Sequence, residues 1–365
     1  MIYYKIHKII TIIITCLAMW SCSSSQEEPV TPEKPLVPID RKAVFRNDVS
    51  YKYAVSSRAG AIETNYLPKD HVVGIYGLNT TWGTNTDGNY VNLVTWATEN
   101  INENLKNEPY VSAGSSTVLN SQKTFTFPNG EEAAMLFYGY SPYDENIIYT
   151  DNLSTPKAPR LKIDINQSME MTEDYLYTGT VKVIPEGETT PVHLPFKHAL
   201  ARLNFRVYTN DVNFTDAYCP KLKKIQIITN NHQGGYMNIH DGTIEPGNGE
   251  NITFNYELSS PYKITQSKKG EATETGAKFL FLPNDNAINS IILFVEDENG
   301  ENKEYIAYAY YPAKNDPKKL MAGYVYTINI EYNVRSSFVC SITSWETNED
   351  KNLNISDATV TQPSN

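Results

Sequence analysis

The sequence predicts an all-β protein built from β-sandwiches, and three observations support this fold class. Apolar and polar residues alternate over most of the 365-residue chain, as expected for strands with one buried face. Asn-Gly and Asp-Gly dipeptides separate several of these runs, and they favour hairpin turns because they tolerate positive φ. Helix signals are sparse, and the best is residues 316–323, with Asp, Pro and Gly at cap positions. Many short strands separated by turns favour sandwiches.

The predicted strands follow one another along the chain. Runs with one apolar face are residues 72–76, 123–127, 203–207 and 324–330. Runs that are apolar on both faces, as central strands are, are residues 279–282 and 291–295. The turn dipeptides are Asp87-Gly88, Asn129-Gly130, Asp241-Gly242 and Asn299-Gly300. The folded part, about 320 residues, exceeds what one core usually serves, so we expect two domains.

The N-terminus carries a predicted secretion signal that ends in a lipidation motif. Two lysines precede a 12-residue apolar run from Ile9 to Trp20, which fits a signal peptide and is too short to cross a membrane as a helix. Ser21 followed by Cys22 resembles a bacterial lipobox. We therefore expect residues 1–21 to be the signal peptide and Cys22 to be acylated, with palmitate. An ordinary cleaved signal that contains a cysteine is the alternative.

Residues 22–40 form a predicted tether. Residues 23–28 are small, polar and acidic and resemble the export signal of lipoproteins on the outer face of the outer membrane. A plain solvated spacer has a similar composition. Prolines at positions 29, 32, 35 and 38 favour an extended, semi-rigid segment. We expect this tether to hold the folded part away from the cell outer membrane.

The charge of the chain disfavours several partners. Without residues 1–21, which contain two lysines and no acids, the chain has 29 basic and 42 acidic side chains, a net −13. This charge disfavours nucleic acids and anionic lipid surfaces. Beyond residue 22 two cysteines remain, Cys219 and Cys340. The sequence leaves open whether they form a disulfide or stay packed thiols.

The sequence contains no recognisable catalytic or metal-binding motif. It has no Gly-x-Ser-x-Gly element. The histidines past the signal lack metal-ligand spacing, and the acid-rich residues 296–301 do not follow the calcium-loop pattern. We therefore expect no enzyme activity, no cofactor and no metal.

Several short segments together carry a family signature. They are residues 57–59, 67–76, 137–143, 171–177, 195–205, 282–283, 322–326 and 342–345. In this order they resemble the fimbrillin-like (Mfa-like) family of type V pilus subunit lipoproteins of Bacteroidales. The chain departs from the family pattern at Tyr175, where a leucine is commoner, and over residues 80–121.

The resemblance implies a fold and a function. The fold is two tandem transthyretin-like Greek-key β-sandwiches, residues 41–187 and 188–346, and the polar break at residues 185–188 fits this boundary. The function is a structural subunit (stalk, tip or anchor) of a cell-surface fimbria that mediates adhesion. The implied partners are other pilus subunits and host or bacterial surface ligands.

The resemblance also points to a processing site. Family members are cut by a trypsin-like protease after an arginine between the first two strands, which makes Arg58 the candidate cleavage site here. Its small neighbours favour an accessible loop. An ordinary exposed arginine is the alternative.

Residues 347–365 extend past the last family-like strand as a C-terminal tail. The tail starts polar and then places apolar residues at Leu353, Ile355 and Val360. Alternating apolar residues suit a donor strand that fills a neighbour's groove, although Asp357 would require a bulge. A frayed terminus or an extra edge strand on the second domain is the alternative.

Tandem sandwiches on a lipid anchor also serve as surface glycan-binding proteins, which is the second functional hypothesis. Its candidate ligand aromatics are Trp82, Trp96 and Tyr143, and Trp96 has a core position as its alternative. A lipoprotein hydrolase is a third hypothesis, with no motif in its favour.

Overall fold

A computed structural model describes most of the chain from residue 41 onward. The described residues are 41–49, 66–79, 82–84, 90–92, 96–114, 117–128, 134–149, 157–165, 173–212, 214, 219–229, 232–247, 252–268, 271–285, 288–297, 299–308, 319–332, 338–344, 350–351 and 360–361. At residues 82–84, 90–92, 284–285, 289, 307–308, 319, 338–344, 350–351 and 360–361 the description covers the backbone alone.

The described residues are mainly strands and turns, which confirms the all-β prediction. The strands up to residue 198 are β1 (Lys42–Val49), β2 (Val72–Asn79), β3 (Trp82–Thr84), β4 (Tyr90–Asn92), β5 (Glu108–Ser112), β6 (Leu119–Asn120), β7 (Met135–Ser141), β8 (Arg160–Asp164), β9 (Leu176–Tyr177), β10 (Val181–Val183) and β11 (Thr189–His198). The later strands are β12 (Ala201–Tyr208), β13 (Lys221–Thr229), β14 (Gly234–Asn238), β15 (Ile244–Pro246), β16 (Thr253–Lys263), β17 (Glu274–Phe281), β18 (Asn284–Asp285), β19 (Ile288–Glu296), β20 (Asn302–Tyr308), β21 (Lys319–Leu320), β22 (Tyr324–Glu331), β23 (Phe338–Ser344), β24 (Asp350–Lys351) and β25 (Val360–Thr361). Two 3₁₀ helices, Thr98–Asn100 and Glu103–Leu105, lie between β4 and β5.

The first sheet contains eight strands and encloses an aromatic core. Its order is β1-β11-β9-β7-β2-β5-β6, with β10 paired to β7. β11 alternates exposed and buried residues along almost its whole length, so every second side chain enters the core. The buried members of this core are Phe45, Val49, Leu67, Val73, Ile75, Leu105, Tyr110, Leu119, Phe125, Phe127, Met135, Phe137, Leu176, Val192, Leu194 and Phe196.

β11 follows the predicted boundary at residue 187 but belongs to the first sheet. The polar break is present as a turn, with Gly187 at a φ of +66°. The chain then pairs with β1 and β9 before it leaves the first sheet after His198. The described part of Asp40–Asn365 belongs to one compact unit, and the division into two domains stays a prediction.

A small sheet covers the second face of the first sheet, and it is built from both halves of the chain. Its order is β15-β14-β8, with Gly234–Asn238 antiparallel to Arg160–Asp164. The β14–β15 hairpin turns at the predicted Asp241-Gly242 position. Gly242 has a φ of +73°, and a Cβ there would lie 2.1 Å from the Tyr177 ring. The hairpin tip therefore accepts glycine alone without rearrangement.

Two five-stranded sheets form a sandwich in the later part of the chain. Their orders are β17-β12-β22-β23-β24 and β16-β13-β19-β20-β25. The predicted central run at residues 291–295 lies in β19, between β13 and β20. The buried side chains of the facing strands include Leu203, Phe205, Val207, Leu222, Ile225, Ile227, Phe254, Phe279, Phe281, Ile291, Leu293, Val295, Ile328 and Ile330. Burial of each such side chain contributes about 1.5–3 kcal/mol.

Two local predictions need correction. Within the expected helix at residues 316–323, Lys319–Leu320 forms strand β21 and pairs with Asn284–Asp285, because a partner strand outweighs weak cap signals in so short a segment. The expected strand at residues 123–127 is extended, with Phe125 and Phe127 buried, but makes a single isolated bridge at Thr126. That bridge joins it to β1.

Candidate functional site

The first strand, β1, lies in a slot with backbone partners on both sides. On one side all eight of its residues pair in parallel with β11, from Lys42↔Thr189 to Val49↔Phe196. On the other side residues 117–127 contribute isolated antiparallel bridges to Lys42 and Arg46. Backbone hydrogen bonds run from Ala43 N to Phe125 O (3.1 Å) and from Phe127 N to Arg41 O (2.8 Å). β1 therefore joins the two ends of the first sheet.

The side chains of β1 fill the apolar part of this slot. Phe45 is 2% exposed, and its ring centroid lies 4.8 Å from that of Tyr110, 6.4 Å from Phe125 and 5.4 Å from Phe137. Val49 is also buried, and Ala43 packs against the same core. These residues alternate with exposed Lys42, Arg46 and Asp48. Burial of one face thus holds β1 in place, together with its backbone hydrogen bonds.

Asn47 occupies a polar position inside the otherwise apolar slot. It is fully buried. Its Nδ2 donates to the carbonyl oxygen of Thr117 at 2.8 Å, and its Oδ1 accepts the backbone N–H of Leu67 at 2.9 Å. We call Leu67 N and Thr117 O the polar socket. Sequence reasoning missed this residue; the signal that could have found it is an amide among the alternating positions 43, 45, 47 and 49.

β1 is linked to β2 through residues 50–71, which include the candidate cleavage site. Arg58 lies outside the described residues, as does Cys22. The chain is described again from Tyr66, and Leu67, next to it, is fully buried and bonded to Asn47. The slot is thus built partly from residues on the far side of the Arg58 segment.

The C-terminal tail is described at two short strands. Leu353 and Ile355 lie outside the described residues, whereas Val360 lies in β25. β25 pairs with the edge of β20 through Ala307↔Val360 and Ile306↔Thr361, and β24 pairs with β23. This pairing agrees with the alternative of an extra edge strand for the last part of the tail.

The candidate ligand aromatics have different surroundings. The side chain of Trp82 lies outside the described residues. Trp96 is 5% exposed and packs against Tyr76, Tyr138 and His240, with its Nε1–H directed at His240 Nδ1 at 3.4 Å. Trp96 is therefore a core residue. Tyr143 is partly buried against the larger core.

Two polar pairs, one buried and one half-buried, lie beside the first sheet, and sequence reasoning missed both. Asp174 Oδ2 lies 2.9 Å from His198 Nδ1, and both side chains are almost completely buried. His71 Nε2 lies within hydrogen-bond distance of Ser141 Oγ. Burial lowers the pKa of His71, and the nearby charge of Asp174 opposes this shift. Both pairs lie beside strand ends, where they tie loops to the sheet.

The described residues hold no cluster suited to a metal ion and no helix suited to a membrane span. They contain no group of three or more His, Cys, Asp or Glu side chains placed to hold a metal ion. None of the helices in the described ranges has the length and apolar character needed to span a membrane. Cys219 is buried and is not in a disulfide.

The described residues thus define an all-β protein with two apolar cores. Its first strand lies in a slot, with backbone partners on both sides. Comparison then gives the family: the sequence model described as "Fimbrillin-like" matches residues 61–345. The chain belongs to the fimbrillin-like family, which confirms the resemblance read from the sequence. The family is one of fimbrial structural proteins, in agreement with the expectation that the chain is not an enzyme.

Solved structures with a similar fold come from Bacteroides. A proposed cell adhesion protein of Bacteroides uniformis has 17% identity and a TM-score of 0.53, and the match covers 83% of this chain and 99% of that one. A second from Bacteroides ovatus has 15% identity and a TM-score of 0.51, covering 85% and 99%. A fimbrial protein of Bacteroides vulgatus has 13% identity and a TM-score of 0.50, covering 84% and 100%. No curated protein matches the sequence.

Proposed function

We propose that this chain is a structural subunit of a cell-surface fimbria and that it assembles by strand exchange. The observation that carries the proposal is β1, a strand with partners on both sides whose Phe45 and Val49 complete the first core. Removal of β1 would leave an apolar slot with an open backbone edge. A strand from a neighbouring subunit could fill this slot by the same bonds.

The C-terminal tail is the proposed donor. Leu353, Ile355 and Val360 are its candidate apolar residues. Among the described residues of the tail, Val360–Thr361 pairs with β20 and Asp350–Lys351 pairs with β23, each through two residue pairs.

Deletion of residues 347–365 tests the donor proposal. We expect stable folded monomers that no longer form SDS-resistant ladders. A matched pair of variants controls for the deletion: Leu353→Asp with Ile355→Asp should block assembly, whereas Asn352→Asp with Asn354→Asp should leave it intact. The donor role is wrong if the truncated protein unfolds or assembles as well as wild type.

Processing at Arg58 is the proposed step that releases β1. Arg58 lies between β1 and β2, so cleavage there would separate β1 covalently from the rest of the slot. N-terminal sequencing of surface material measures it directly. A start at Ala59 indicates a polymerising subunit, and a start at Cys22 indicates an anchor that keeps its first strand. Assembly of an Arg58→Ala variant at the wild-type level would exclude cleavage as the trigger.

Acylation at Cys22 is the proposed attachment to the outer membrane. Buried lipid contributes about 0.8 kcal/mol per CH₂, and two or more chains give stable anchoring. We expect Cys22→Ser to release the protein from membranes or to leave its precursor uncleaved. A membrane-bound variant with normal processing would show that the attachment lies elsewhere.

A further inference from the structure

The polar socket beside Asn47 has a consequence for strand exchange that rests on the proposed function. Any strand that replaces β1 meets one backbone donor, Leu67 N, and one backbone acceptor, Thr117 O, at the third inward position of the slot. Thr117 O also accepts the backbone N–H of Asn47, at 2.6 Å, and any replacing strand can repeat that bond. A purely apolar donor strand would therefore leave the buried Leu67 N without its partner. A buried polar group that loses its hydrogen bond is destabilised by about 1–3 kcal/mol, or roughly 5- to 150-fold in an equilibrium constant.

The tail of this chain carries a polar residue at the matching place. The inward positions of β1 are Ala43, Phe45, Asn47 and Val49. Every second residue of the tail from position 353 gives a comparable series, Leu353, Ile355, Asp357 and Thr359. If the tail runs in the same direction as β1, the two series can be aligned one to one. The first two positions are then apolar in both, the third is polar in both, and the fourth is β-branched in both. We propose that the tail of a second copy of this chain enters the slot parallel to β11, with Asp357 in the polar socket.

Other registers in this direction fit worse. A shift of two residues would place the Asp357 carboxylate at the position of Phe45, among three aromatic rings, or at the position of Val49. A charge without a partner in such a site is strongly destabilising. A shift of one residue would turn Leu353 and Ile355 to the opposite face, because side chains alternate along a strand. One register thus satisfies both the apolar positions and the socket, without a bulge at Asp357.

The socket also ranks the residues that can fill it. An asparagine satisfies both of its groups, as Asn47 does in β1. An aspartate accepts from Leu67 N, but as a carboxylate it has no proton to donate to Thr117 O. A leucine side chain bonds neither group, and only its backbone N–H can still reach Thr117 O. The same order, Asn above Asp above Leu, is therefore expected at position 47 of β1 and at position 357 of the tail.

Assembly of the full mature chain, treated with a trypsin-like protease, tests this register. We expect Asp357→Asn to lower the concentration needed for SDS-resistant ladders by about tenfold, and Asp357→Leu to raise it by a similar factor. Asp350→Asn, a charge-matched control elsewhere in the tail, should have no effect.

Position 47 provides a second measurement that needs no assembly. In the intact chain, Asn47→Asp and Asn47→Leu should lower stability to urea in that order. If wild type forms no ladders, the proposed function and this register both fail. If wild type assembles but Asp357→Leu assembles as well as Asp357→Asn, the register is wrong and strand exchange stands.

Discussion

Truncation of Phe45 to alanine is the sharpest test of how β1 is held. The side chain is 2% exposed and its ring contacts three others. Buried Phe→Ala changes cost about 3–5 kcal/mol, within which aromatic pairs account for about 0.5–1.5 kcal/mol each. We therefore expect Phe45→Ala to lower the free energy of unfolding by about 3–5 kcal/mol. Urea unfolding followed by circular dichroism measures this loss.

Arg46→Ala is the matched control, because Arg46 is the exposed neighbour of Phe45 on the same strand. A surface substitution of this kind should change stability by no more than about 0.5 kcal/mol. Limited proteolysis offers a second readout, since a loosened β1 is itself more open to cleavage. Equal stability and equal cleavage rates for the two variants would refute the claim that β1 is held in the slot by its buried face.

Three further predictions concern the rest of the fold. Gly242→Ala should destabilise the protein by at least about 2 kcal/mol more than Gly300→Ala in urea unfolding, because both glycines have positive φ but a Cβ at Gly300 meets nothing within 4 Å; equal losses would mean that strain alone decides. His71 has a pKa lowered by burial, so its neutral form is favoured in the folded state. The stability that it contributes is present above the unfolded pKa of about 6.5 and is lost as the pH falls through the folded value. A His71→Gln variant should lose that part of the pH dependence, and an unchanged profile would contradict the assignment. Asp174→Asn should cost about 3–5 kcal/mol, because it removes a charge from the buried pair with His198; a loss under about 1 kcal/mol, measured by thermal unfolding, would contradict a structural role.

Local sequence patterns predict many of the strands. They do not predict which distant strands pair with each other. The alternation of β11 is visible in the sequence, and so is the break before it. Its parallel partner β1 is not, since Lys42 and Thr189 are far apart and periodicity carries no information on partners. The same limit applies to β14, whose turn at Gly242 was predicted and whose pairing with β8 was not.

In the candidate site, too, some residues could be predicted from the sequence and others could not. Phe45 and Val49 lie on β1, upstream of Arg58, the candidate cleavage site that the family resemblance implies. Asn47 was not singled out, because the meaning of a lone amide depends on the two backbone groups that face it. The core position of Trp96, left open by the sequence, follows from rings on β2 and β7 and from His240 on the hairpin. Burial of this kind is decided by the whole fold.

The placement of β11 and β14 dictates the order in which the molecule can form. A chain that is synthesised from its N-terminus presents β1 long before Thr189–His198 exists to pair with it. The second face of the first sheet stays uncovered until Gly234–Asn238 arrives. Contacts between such distant segments slow folding, because loop closure precedes the gain from pairing. The first half can therefore complete its strand pairing only after the second half is present.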